Sequence, residues 1–213
     1  SMGGVGVGMR NAAAVNLLNP AAYSAVRPKS FLFDFGLEGQ CFYNSQKYYG
    51  QTLNTSYYTV NFHDIAFQLP IAKHLGLGFS LTPYSSVGYR MKQEVDDDEI
   101  WGNIGRVQYQ WDGDGDVTEV KLGLGWEIFR GFSIGIAAQY YWGDIQRIYK
   151  TAILENITGG GLIADATGTE TYSVSRFKGQ FGVQWSPISN RRRILTIGAT
   201  YDIGGDLNPN VTT

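Results

Sequence analysis

The sequence predicts an all-β protein: an antiparallel transmembrane β-barrel with a short N-terminal hatch. Three observations carry this. After residue 30 apolar and polar residues alternate with a period of two, and almost nothing reads with helical period. The alternating runs span roughly 12–17 residues, longer than the globular mode of about 5–6 and suited to a tilted span with extensions. Short turns alternate with long polar connections, an asymmetry typical of outer-membrane barrels and without purpose in a soluble sandwich.

The elements follow in order. Residues 1–29 form the hatch; within it Asn11 to Asn19 reads as one short helical piece, stopped before Pro20. Strand one starts near Phe31 and sets Phe31, Phe33, Phe35 and Leu37 against Asp34, Gly36, Glu38 and Gln40. The second, about 57–70, carries Tyr58, Val60 and Phe62, then Ile65, Phe67 and Leu69 in the opposite phase, which calls for a bulge or a slip near His63. The third, about 75–91, opposes Leu75, Leu77, Phe79 and Leu81 to Gly76, Gly78, Ser80, Thr82 and Arg90. The fourth opposes Leu122, Leu124 and Trp126 to Lys121, Gly123 and Gly125; the fifth opposes Ile134, Ile136 and Trp142 to Ser133, Gly135 and Gln139. The sixth sets Phe181, Val183 and Trp185 against Gln180, Gly182 and Gln184, and the seventh sets Leu195, Ile197 and Tyr201 against Thr196, Gly198 and Asp202. Short connections fall near 72–74, 130–131 and 188–193, and long ones at about 41–56, 92–117 and 149–171.

The apolar face ends in aromatics, among them Trp126, Phe132, Trp142, Trp185 and Tyr201, where interfacial girdles belong. The other face holds Gly, Ser, Thr, Gln and charge, and its lumen-facing positions include Asp34, Glu38, Asp64, Gln68, Thr82 and Arg90. Seven is an odd number, and a single-chain bacterial barrel closes with an even one, so residues 30–213 read as an incomplete barrel with further strands expected beyond Thr213.

Composition narrows the function. The chain has 213 residues, with 14 Tyr, 11 Phe, 5 Trp and 28 Gly but only 17% charged residues, the opposite of a disordered chain. A net charge of −2 argues against nucleic acid as a partner. Cys41 alone excludes an internal disulfide, and with only His63 and His74 there is little for a zinc site. No cofactor is expected. No run of about 18 apolar residues encodes a transmembrane helix, which does not bear on strands.

The N-terminal stretch Gly3-Gly-Val-Gly-Val-Gly8, the Ala-rich Asn11 to Val15, and Asn19-Pro20-Ala21-Ala22-Tyr23 resemble the hatch of the FadL/TodX-like long-chain fatty-acid transporter family of outer-membrane proteins. Leu75 to Ser86 and Leu195 to Tyr201 are similar to that family too, and the Leu17 to Ser24 run into Phe31 resembles its divergent Bacteroidetes members. The resemblance covers most of the chain. It implies a 14-stranded barrel, of which seven strands are half, in the bacterial outer membrane. It implies a channel for hydrophobic small molecules, with outer-membrane lipid and a hydrophobic ligand as partners. The hatch residues would be Asn11, Asn19 and Pro20. A kink at Pro83 would open a lateral gate at Tyr84, Ser85, Ser86 and Gly88, although a bulge at a barrel rim explains the same proline.

Other motifs read more plainly. Asp112-Gly-Asp114-Gly-Asp116 spaces carboxylates like a calcium loop but lacks the distal Glu, so a solvated acidic loop tip is the simpler reading; Asp96 to Glu99 is similar. Gly4-x-Gly6-x-Gly8 lacks the preceding strand of a phosphate loop. His63-Asp64 finds no serine at readable spacing, so no enzyme is expected. Two alternatives to the channel stand: a structural or accessory barrel subunit of an outer-membrane secretion or assembly complex, with other outer-membrane proteins as partners, and a soluble β-sandwich adhesin or lectin.

Overall fold

Alternation after residue 30 builds strands. The computed structural model describes residues 6–48, 51–94, 106–155, 166–189, 193–205 and 210–212. Its strands are β1 (Leu32–Tyr48), β2 (Gln51–Ala72), β3 (Leu75–Glu94), β4 (Arg106–Phe129), β5 (Phe132–Glu155), β6 (Ala166–Ser189), β7 (Ile194–Ile203) and the short β8 (Asn210–Thr212). They form one antiparallel sheet in the order β1-β2-β3-β4-β5-β6-β7, with β8 on β6. Among the described residues no pairing joins β1 to β7, so the sheet is not closed.

The strands are longer than the alternation alone suggested: β1 to β6 run 17 to 24 residues. The segments read as long loops are largely strand. β1 and β2 pair to Tyr48↔Gln51, which removes the loop expected at 41–56. β4 starts at Arg106, β5 continues to Glu155 and β6 begins at Ala166. Polar residues and glycines, as in Asn44 to Lys47 and Asp112 to Asp116, interrupt the apolar alternation of these extensions, so the pattern hid them.

The expected bulge exists. Gly36 pairs with Asp64 and Leu37 with Phe62, leaving His63 as the extra residue. One inserted residue restores phase, so Phe62, Val60 and Tyr58 share a face with Ile65 and Phe67 across the whole β1–β2 pair.

The N-terminal segment departs from expectation. The helical turn is a 3-10 helix at Pro20–Ala25, starting where the helix was expected to stop. Asn residues decide this. Asn11 Oδ1 accepts from Ala13 N (2.9 Å) and Asn16 Oδ1 from Leu18 N (2.8 Å), local bonds that compete with a helix. Asn19 then caps the turn by accepting from Ala21 N (3.0 Å), with Pro20 at the first helical position, where its missing N–H costs nothing.

The chain divides into two compact units. The first comprises Ser1–Pro83, Glu119–Gln139 and Phe177–Gly204. Its alternation is inside out: Ser133, Gln139, Lys121, Gln180, Gln184, Gln68 and Asp64 are buried, while Trp126, Ile136, Phe181 and Trp185 are each about half exposed. The second comprises Tyr84–Thr118, Tyr140–Arg176 and Gly205–Thr213. Its small apolar centre is Val117, Tyr141 and Val174, with Tyr84 edge-on to Tyr141 at 4.9 Å. Among the described residues no helix is long and apolar enough to cross a membrane, which says nothing of strands.

Candidate functional site: the seat of the N-terminal segment

The buried polar face of the first unit is covered by residues 6–26. Glycines make room for it. A Cβ on Gly76 would run into the Tyr23 backbone, one on Gly78 into the Tyr23 ring, and one on Gly135 into Pro20 and Ala21. On β6 and β7, a Cβ on Gly182 would meet the Asn19 side chain and one on Gly198 the Val7 carbonyl. These glycines alternate with apolar residues on the exposed face, so period two places the whole track on one side. Tyr23, 1% exposed, fills it.

Side chains from three strands bind the segment's backbone, and one from a fourth meets a side chain of the segment. Gln68 on β2 donates to Ala22 O (3.1 Å), and Lys121 on β4 donates through Nζ to Leu17 O (2.7 Å). Gln184 on β6 donates to Val7 O (2.9 Å) and Met9 O (3.1 Å). Ser133 on β5 meets Ser24 at 3.1 Å. The segment answers with its own side chains: Asn19 Nδ2 donates to Val7 O (2.9 Å) and Val183 O (3.2 Å). These bonds satisfy carbonyls of a segment that has almost no secondary structure of its own.

Arg10 is the segment's charged anchor. Its guanidinium donates to Ser24 Oγ (3.0 Å) and pairs with Glu127 Oε2 (3.3 Å). Burial weakens its hold on the proton, an effect that Glu127 opposes. Burial and the nearby Glu119 push the Tyr23 phenol well above the ordinary tyrosine range. Beside Arg10 a cavity of about 850 Å³ opens, lined by the segment, by the β2–β3 and β4–β5 turns, and by Ser186, Pro187, Ile194 and Thr196 of β6 and β7. The second residue of two of these turns, His74 and Gly131, has positive φ (69° and 84°). An apolar cavity of about 400 Å³ lies elsewhere, among Leu77, Leu122, Leu124, Ile136 and Phe181.

A model of the BamG family matches residues 1–213. The chain belongs to the BamG family. Neither the curated proteins nor the solved structures gave a match. The match corrects the resemblance to long-chain fatty-acid transporters. Of the features that carried that resemblance, Asn19-Pro20 starts the 3-10 turn and lies against Gly182 of β6, a role that does not mark one transporter family.

Within this BamG chain the sequence-predicted residues separate. Asn19 and Pro20 lie at the centre of the seat, whereas Asn11 is exposed. Gln68 is in the seat, and Asp64 is buried beside it on β2, with His63 Nδ1 at 2.7 Å. Asp34 pairs with Ala66 and Glu38 with Asn61, and both carboxylates are exposed. Thr82 is half-buried, and Arg90 bonds Asp112 (2.9 Å) in the second unit. Pro83, Tyr84, Ser85, Ser86 and Gly88 lie in β3, whose described register with β2 stops at Ile65↔Leu81.

Asp112, Asp114 and Asp116 are within β4, not at a loop tip. Asp112 is taken by Arg90 and Gln110, and among the described residues no group of three His, Cys, Asp or Glu is placed to hold a metal. Cys41 is exposed with a free thiol. Gly4 and Asp96 to Glu99 lie outside the described residues. Sequence reading missed Arg10, Tyr23, Lys121 and Gln184. The signal was present in Gly76-x-Gly78 and Gly123-x-Gly125, where every polar-face position lacks a side chain.

Proposed function

We propose that the chain is an accessory β-barrel subunit of an outer-membrane protein assembly complex, embedded in the outer membrane by its exposed apolar face. Membership of the BamG family along the whole chain carries this reading. The inside-out sheet supports the membrane part: half-exposed Trp126, Phe181, Trp185 and Ile197 would be costly in water and are favourable against lipid. The seat supports a structural role. A segment held by buried amides, a lysine and a glycine track suits a fixed plug better than a conduit. The lining of the apolar cavity includes Leu122, Leu124 and Phe181 of the exposed face. Asp64, Gln68 and Thr82 would then face the barrel interior.

Affinity isolation of the chromosomally tagged protein in mild detergent tests this. Stoichiometric co-isolation of other outer-membrane assembly subunits is the expected result. Recovery of a lone barrel, with uptake of hydrophobic substrates lost on deletion, would overturn it.

A further inference from the structure

We infer that the 850 Å³ cavity beside Arg10 is a receptor for an acidic polypeptide segment of a partner subunit, an inference that rests on the accessory-subunit reading. Its lining carries Arg10, Arg27, Lys73, His74 and Arg130 against a single carboxylate, Glu127. That carboxylate is already engaged: Oε2 by Arg10 (3.3 Å) and His74 (3.5 Å), Oε1 by the Gly131 amide (3.0 Å). Arg27, Lys73 and Arg130 are exposed and have no ion pair among the described residues. Three uncompensated cations thus ring one concavity.

The volume holds several side chains rather than one ion, which fits a short stretch of chain. Turn backbones frame the opening: Glu127 N donates to His74 O (2.8 Å) and Ser186 N to Gly131 O (2.7 Å), so the cations project from a braced rim. A polypeptide fits better than a lipid headgroup. Arg10 and Arg27 belong to the N-terminal segment, on the polar side of the sheet, whereas acyl chains would lie against the opposite, apolar face. Carboxylates spaced along a flexible segment can reach several cations at once, and such charge pairing governs encounter and specificity.

The test uses the purified protein in nanodiscs of zwitterionic lipid and a fluorescent decapeptide of alternating Glu and Gly, read by anisotropy. Saturable, salt-sensitive binding is expected. The variant Arg27→Glu/Lys73→Glu/Arg130→Glu should bind at least about tenfold more weakly. Lys150→Glu/Arg176→Glu, which changes exposed cations outside the cavity, should bind as wild type. Should the triple reversal fail to fold, Lys73→Gln alone should still weaken binding and lower its salt dependence. Absent binding, or equal binding by all variants, would overturn the inference. So would binding of phosphatidylglycerol nanodiscs with no response to the peptide, which would make the cavity a headgroup site. Co-isolation is scored in parallel: a wild-type protein without partners refutes the subunit reading, whereas partners without peptide binding refute the cavity inference alone.

Discussion

Replacing Asn19 by Ala should release the N-terminal segment without unfolding the sheet. Asn19 is 0% exposed and makes three hydrogen bonds through its side chain: to Val7 O, to Val183 O and from Ala21 N. Each is worth about 1 kcal/mol net, so their loss costs about 3 kcal/mol, with the 3-10 cap included in that sum. At about 1.4 kcal/mol per decade, amide protection across residues 7–26 should fall roughly a hundredfold. Hydrogen exchange by mass spectrometry on the protein in nanodiscs reads this directly. Protection in β4 to β6 should hardly move, because those strands pair with one another. Asn11→Ala is the internal standard: Asn11 is exposed and accepts only a local bond from Ala13 N, so its loss should stay within about 0.5 kcal/mol. Equal effects of Asn11→Ala and Asn19→Ala would refute the seat as the structure describes it.

Other outcomes follow from the same geometry. Gly182→Val or Gly135→Val should expel the segment, seen as protease cleavage within residues 6–26, while Gly88→Val, whose Cβ meets nothing within 4 Å, should not. The buried Tyr23 phenol has a raised pKa, so the neutral form is favoured in the fold; its contribution is fully present below the unfolded tyrosine value of about 10 and is lost as pH rises above it. Alkaline titration should therefore loosen the segment, and Tyr23→Phe should abolish the tyrosine part of that dependence, both followed by exchange. Trp126→Lys, on the exposed apolar face, should lower the stability of the bilayer-embedded protein by about 2–4 kcal/mol in urea titrations, and an unchanged midpoint would argue against lipid contact there.

Much of the sheet was legible because period two is a geometric consequence of the strand. The bulge at His63 was readable for the same reason: a phase reversal between Phe62 and Ile65 admits few other solutions. The strand extensions were not readable, because runs such as Thr52 to Thr55 and Tyr149 to Glu155 alternate too weakly in sequence to mark a strand. The seat was half readable. Asn19-Pro20 announced a turn, but Val183, which Asn19 bonds, and Gln184, which bonds Val7, lie more than 160 residues from them, and nothing local in the sequence pairs them. The family was misread because the resemblance rested on short glycine-rich, Ala-rich and Asn-Pro-Ala runs, whereas the BamG match extends over residues 1–213.

The seat also sets an order of events. Residues that precede the sheet in sequence are the last able to dock, since Val7 waits for Gln184, 177 positions on, and Asn19 for Val183, 164 positions on. Contacts of such separation carry a high closure entropy and form only when the intervening strands have already aligned. Burial of Tyr23 thus reports that Gly76 and Gly78 of β3 and Gly123 and Gly125 of β4 are in place, and a slip of those strands would leave the ring unseated. The N-terminal segment acts as a built-in check on completed folding.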